Sequence, residues 1–119
     1  MFDHVMLNVS NRMKSMQFYT PVLQILEIAV LYDQGSYAAY GTESMAFWLR
    51  ESTPSEVTRK VHLAFSAASR KQVDEFYQTA LAVGAKDNGA PGLREYGPKY
   101  YAAYVLDLEG NNIEAVCTK

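Results

Sequence analysis

The sequence predicts an α+β fold built from two βαβββ modules, and three observations carry that expectation. Residues 100–116 are the first. Aromatic and apolar residues alternate as far as Leu106, Asp107-Leu108-Glu109-Gly110-Asn111-Asn112 is turn chemistry, and residues 113–116 are a second short strand, so the stretch reads as a β-hairpin. The second is a repeated spacing: Tyr19, in the pair Phe18-Tyr19, follows His4 by 15 positions, and Tyr77, in the pair Phe76-Tyr77, follows His62 by 15 positions. The third is the recurrence of Tyr37-Ala38-Ala39-Tyr40 as Tyr101-Ala102-Ala103-Tyr104, each time ahead of a turn and a final strand. At 119 residues the chain is a single domain, with modules at about 1–51 and 60–119.

Residues 2–9 alternate as a strand does, with Val5, Leu7 and Val9 on one face and His4, Met6 and Asn8 on the other. The first face should meet a helix that starts at Ser10 or Asn11, both able to cap it, and carries Met13, Met16 and Tyr19 at helical spacing. Pro21 disfavours helical geometry at Thr20, so the helix is expected to stop there and Pro21 to open a second short turn through Leu26. Residues 28–33 are β-branched and apolar, Gln34-Gly35-Ser36 is a turn, and strands follow at 37–40 and 45–50. After the loop Ser52-Thr53-Pro54-Ser55 the pattern restarts with a strand at 61–65. Ser69 caps the second helix with Gln72 three residues on; Val73, Phe76, Tyr77, Ala80 and Leu81 line one face, and Gly84 ends it. A loop at 87–92, a strand at 93–96 and the hairpin complete the second module.

Composition narrows the function classes. The apolar fraction is 49%, charged residues are 20% and the formal net charge is -2, which excludes a disordered chain and gives no footprint for nucleic acid or a membrane surface. Cys117 is the one cysteine, so no intrachain disulfide forms. Residues 1–5 lack a basic region leading into an apolar run, and no stretch reaches membrane-spanning length. A cytoplasmic protein with a small-molecule partner is expected.

The chemistry centres on Glu114, a carboxylate set among Ile113, Ala115 and Val116 where a strand should be dry. A buried carboxylate needs a partner, and a cation is one candidate. The only two histidines, His4 and His62, hold equivalent places in the modules. Equivalent first strands running side by side at the centre would bring them together across 58 positions, with Glu114 facing the same interior. Two imidazoles and a carboxylate on a concave sheet form a facial triad for a divalent ion, and Zn, Mn, Fe, Co and Ni all accept those ligands.

Phe2-Asp3-His4-Val5, Val61-His62-Leu63-Ala64-Phe65 and residues 107–116, set on repeated βαβββ modules, resemble the vicinal oxygen chelate superfamily. That group includes glyoxalase I, the bleomycin-resistance proteins, fosfomycin-resistance transferases and extradiol dioxygenases. The resemblance spans essentially the whole chain and implies an open, cup-shaped barrel, with His4, His62 and Glu114 as metal ligands. It also implies a homodimer in which His4 comes from one subunit and His62 with Glu114 from the other. One departure stands out. Glyoxalase I carries a fourth, acidic ligand on the last strand of its first module, and here that place falls at Phe47 or Trp48, which cannot replace a carboxylate.

A divalent ion in such a cup would chelate two oxygens of a substrate, with lyase, dioxygenase or transferase chemistry left open. Tyr37, Trp48, Arg94, Lys99 and Tyr100 are candidates for binding substrate, since loops flanking a rigid sheet supply specificity. Arg94 or Lys99 would hold a carboxylate or phosphonate, and Tyr96 joins Glu114 as a candidate for proton transfer. The alternative is a metal-free protein, like the bleomycin-resistance proteins, that sequesters a small aromatic or cationic ligand in a Tyr/Trp-lined cup.

Overall fold

Strand β1, Val5–Val9, begins the order of elements in this computed structural model, which describes residues 1–119. Helix α1 (Arg12–Ile25) follows, then strands β2 (Ala29–Gln34), β3 (Tyr37–Gly41) and β4 (Phe47–Glu51). A single 3-10 turn at Pro54–Glu56 leads to β5 (His62–Ser66), α2 (Arg70–Ala82), β6 (Lys86–Asp87), β7 (Gly92–Leu93), β8 (Tyr101–Leu106) and β9 (Asn112–Cys117). Both helices begin on side-chain caps. Asn11 Oδ1 accepts from the Lys14 amide at 2.9 Å, and Ser69 Oγ accepts from the Gln72 amide at 3.2 Å.

The modules share one strand order. The first sheet runs β1-β4-β3-β2 and the second β5-β9-β8-β6, with β7 also on β8. In each, the first and last strands are parallel neighbours and the hairpin strands antiparallel, so neither sheet closes on itself. This is the expected open α+β arrangement. Gly41 makes the first module's β3–β4 turn possible, because a Cβ there would lie 1.8 Å from the Ser44 carbonyl oxygen.

Alternation decides what each face does. Leu7, Val9 and Leu49 point to the helices and are buried, while Met6 and Trp48 point the other way. The helices cover the inner faces with Phe18, Tyr19, Val22 and Leu23 from α1 and Val73, Phe76 and Ala80 from α2. Phe47 joins the two halves of this core, meeting Tyr19 and Phe65 edge-on with ring centres 5.1 and 5.4 Å apart. The outer faces stay open to ligands.

A polar knot ties the modules together. Asp107 is buried and accepts from the Tyr19 hydroxyl; its Oδ1 also takes the amides of Glu109 and Asn111, both at 2.9 Å. Asn111, fully buried, donates to the Thr58 carbonyl at 3.0 Å and accepts from the Val61 amide at 3.0 Å. Glu109 Oε1 receives the Ser10 amide at 2.9 Å. The β8–β9 turn is thereby pinned to the first helix and to the linker before β5.

Four expectations need correction. Helix α1 runs straight through Pro21, because the residues beyond it, Val22 and Leu23, are fully buried. Each such burial is worth roughly 1.5–3 kcal/mol, against about 3 kcal/mol for an interior proline. The first strand starts at Val5 rather than Phe2, since Asp3 turns to pair with the neighbouring His4 and Phe2 lies exposed. The strand expected at 93–96 shrinks to Gly92–Leu93, because the turn at Gly97 returns the chain to Tyr100 at once. Finally, β1 and β5 do not run side by side as paired strands; each is the outer strand of its own sheet.

Candidate functional site

On the outer face of the second sheet, Ala64, Glu114 and Tyr104 form a transverse row. Because β9 lies between β5 and β8, Glu114 is only 1% exposed. His62 stands two residues before Ala64, on the same face, and its Nε2 lies 2.8 Å from Glu114 Oε1. The other carboxylate oxygen, Oε2, accepts from the Tyr100 hydroxyl at 2.5 Å. Both oxygens of the buried carboxylate are therefore satisfied, as burial requires. That hydrogen bond, then burial, then the carboxylate's charge hold the Tyr100 phenol well above the ordinary tyrosine range. Tyr104 is raised too, first by burial and then by Glu114.

These groups line a cleft of about 490 Å³ that also includes Tyr96, Asn88 and Asn112. Tyr96 is exposed at the rim and meets Tyr100 edge-on at 5.3 Å. Asn112 faces His62 across the β5–β9 ladder, and its Oδ1 is buried without a hydrogen-bond partner. Behind Tyr104 the Arg94 guanidinium stacks at 5.3 Å and donates to the Ala90 carbonyl at 2.6 Å. Gly89 has φ +146°, and a Cβ there would lie 2.8 Å from the Tyr104 ring, so only glycine lets this loop close over the tyrosine.

The first sheet carries a different outer face. Its matching row is Met6, Trp48, Ala39 and Tyr32. These residues, except Ala39, line a cleft of about 710 Å³ together with His4, Asp3, Tyr37 and Met45. Trp48 is fixed by its indole N–H, which donates to the Met45 carbonyl at 3.2 Å. Ladder positions settle which residue of the first module corresponds to Glu114. Met6 faces Trp48 as Ala64 faces Glu114, so Trp48 is the counterpart of Glu114.

The structure thus brings His62, Glu114, Tyr96 and Tyr100 into one cleft and places His4, Tyr37 and Trp48 in the other. Arg94 stands behind the first of these clefts, and Lys99 is exposed and lines neither. Within one chain no three His, Cys, Asp or Glu side chains gather around a common point. The donor set fits a divalent ion as a half-site: one imidazole nitrogen and one carboxylate oxygen converge, and a further ligand has to come from outside the cleft. Sequence reasoning passed over Tyr32, Tyr104 and Asn112. Tyr104 could have been found by counting alternation forward from Tyr100, whereas Asn112 was hidden in the turn-like pair Asn111-Asn112.

A family model described as Glyoxalase/Bleomycin resistance protein/Dioxygenase superfamily matches residues 1–115. No curated protein matches the chain significantly. Among solved structures, a glyoxalase/bleomycin resistance protein from Albidiferax ferrireducens T118 is 29% identical, with 98% of each chain covered and a TM-score of 0.86. TioX from Micromonospora sp. ML1 is 18% identical, covers 99% of this chain and 100% of its own, and has a TM-score of 0.70. A mutant of the fosfomycin resistance protein FosX from Listeria monocytogenes, complexed with Mn(II) and 1S,2S-dihydroxypropylphosphonic acid, is 20% identical. The match to FosX covers 98% of this chain and 88% of that one, with a TM-score of 0.71.

Proposed function

For a chain that belongs to the Glyoxalase/Bleomycin resistance protein/Dioxygenase superfamily, we propose a glyoxalase-like, metal-dependent enzyme acting on a small oxygenated substrate. The observation that carries this is the 2.8 Å approach of His62 Nε2 to Glu114 Oε1 at the wall of an open cleft. His62 and Glu114 would hold the ion, and His4 of a second copy would complete the set in a homodimer. A divalent ion bound there supplies Lewis acidity towards substrate oxygens.

The chain's own groups do the rest. Tyr100 keeps its proton and donates to Glu114 Oε2, which leaves Oε1 oriented towards His62. Tyr96, free at the rim, exchanges a proton with a group that enters the cleft. Arg94 draws an anionic tail towards the loop. Lys99 lies between Tyr96 and Tyr100 in the chain and adds positive charge to that side. A single free, buried cysteine suits a reducing compartment, and we place the protein in the cytoplasm.

The test is elemental analysis of tag-free protein. About one divalent ion per chain is expected in the wild type, and its loss in His62→Ala and in His4→Ala. Mixing those two variants should restore ions to a fraction of the sites, because each mixed dimer contains one intact shared site and one that lacks both histidines. An ion retained by His4→Ala alone would overturn the shared site, and no ion in wild type after incubation with Zn, Mn, Fe and Ni would overturn the enzyme. A metal-free binding protein is the second reading, and the aromatic first cleft favours it.

A further inference from the structure

The first module's outer face has a geometry that no role as a cup wall requires. Trp48 stands between two tyrosines whose rings are turned against it. Tyr32 lies at 5.6 Å and 45°, and Tyr37 at 6.1 Å and 86°. Neither tyrosine lies parallel to the indole, so the group offers no stacking slot for a flat ring. All three rings line the same open cleft of about 710 Å³, and Met6 and Met45 add polarisable thioethers. The cleft contains no lysine or arginine, and its one carboxylate, Asp3, is 92% exposed at the mouth. Negative ring faces with no lysine or arginine among them are complementary to a positive charge that is bulky and poorly hydrated, while Asp3 is already paired at 2.7 Å with His4, which lines the same cleft.

We propose that Trp48, Tyr32 and Tyr37 form an aromatic cage for an alkylated ammonium group. The three rings belong to one chain and include neither His62 nor Glu114, while His4, which the proposed shared ion site borrows from a second copy, lines the same cleft. It would select the cationic end of a ligand. A neutral molecule of the same shape gains only the burial of its methyl groups, whereas the cation gains the ring quadrupoles as well. A strongly hydrated primary ammonium gives up more hydration than a quaternary one and should bind more weakly.

Trp48 is the only tryptophan in the chain, so its fluorescence reports on this group alone. The full chain, stripped with chelator, is titrated with choline and, separately, with 3,3-dimethyl-1-butanol, its uncharged isostere. A saturable change with choline is expected, with binding of the alcohol about tenfold weaker. The N-methyl proton signal of choline should also move upfield on binding, as ring currents require. Tyr32→Leu and Tyr37→Leu should each weaken choline binding about fivefold, and Tyr32→Phe and Tyr37→Phe, which keep the π-face, should restore it. No saturable response up to about 100 mM choline, or equal binding of the neutral alcohol, would overturn the cage. Because the titration is run without metal, its outcome is independent of whether the elemental analysis finds an ion.

Discussion

Two outer faces built on the same strand order carry opposite chemistry. Across the first sheet the row is Met6, Trp48, Ala39 and Tyr32; across the second it is Ala64, Glu114 and Tyr104, with Asn88 hydrogen-bonded beside Tyr104. A repeated frame reproduces positions and leaves their contents free. At the central position of the row one module presents an indole and the other a buried carboxylate, and that single difference divides an aromatic cleft from a hydrogen-bonded one. The histidines show the same division: His62 meets Glu114, while His4, with no acid opposite, pairs with its neighbour Asp3 at 2.7 Å.

The sharpest asymmetry is the polar knot, which the first module lacks at its own β3–β4 turn. Asp107→Ala removes the acceptor for the Tyr19 hydroxyl, for two backbone amides and for the Asn111 side chain, leaving buried donors without partners. A loss of about 3–5 kcal/mol in urea unfolding is expected. A loss under about 1 kcal/mol would mean that the modules are held by the aromatic core alone.

Tyr100→Phe probes the second cleft. Removing a hydrogen bond to the buried carboxylate should cost about 1 kcal/mol at neutral pH, below the usual range for a charged acceptor because the phenol is partly solvated. The folded chain holds the Tyr100 proton above the ordinary value of 10.0, so above that pH it binds more protons than the unfolded chain. The stability from this bond is therefore complete below the ordinary value and is lost as pH rises past it. Between about pH 9 and pH 11 the wild type should lose more stability than Tyr100→Phe does. Parallel loss in both proteins would show that the Tyr100 proton is not held in this way.

The smallest effects separate two tyrosines that the repeat makes look alike. Tyr40 is fully buried and shares a hydrogen bond with Thr20 at 2.8 Å, so Tyr40→Phe should cost about 1 kcal/mol. Tyr104 lines the open cleft, and Tyr104→Phe should change stability by less than about 0.5 kcal/mol. Equal losses would restore the equivalence that the motif implies.

That contrast marks how far the sequence could be read. Alternation and spacing were enough for the modules, both helix caps and the shared facing of His62 and Glu114, because period and capping are local properties. The motif Tyr-Ala-Ala-Tyr misleads about phase. Ala39 pairs with Trp48, whereas Tyr104 pairs with Glu114, so the two copies are offset by one residue against their ladders and their last tyrosines face opposite sides. Register depends on the neighbouring strand and is invisible in the strand itself. Pro21 misleads for a similar reason, since its local cost is outweighed by burial of Val22 and Leu23 against residues far along the chain. Alternation alone could not divide His4 from His62, because nothing local says that β1 and β5 lie at the edges of separate sheets; only the resemblance separated them, by assigning them to different subunits.

The knot at Asp107 also has a meaning in time. Tyr19 and Asp107 are 88 positions apart, and Ser10 and Glu109 are 99 apart. At a synthesis rate of about 5–20 residues per second, roughly 4–18 s pass between the appearance of Tyr19 and that of its partner. During that interval the first helix leaves the ribosome with its tyrosine hydroxyl unclaimed and half of the joint core still to be made. The first module must wait for the last hairpin, and a chaperone that shields the apolar face of α1 would have its greatest effect in those seconds.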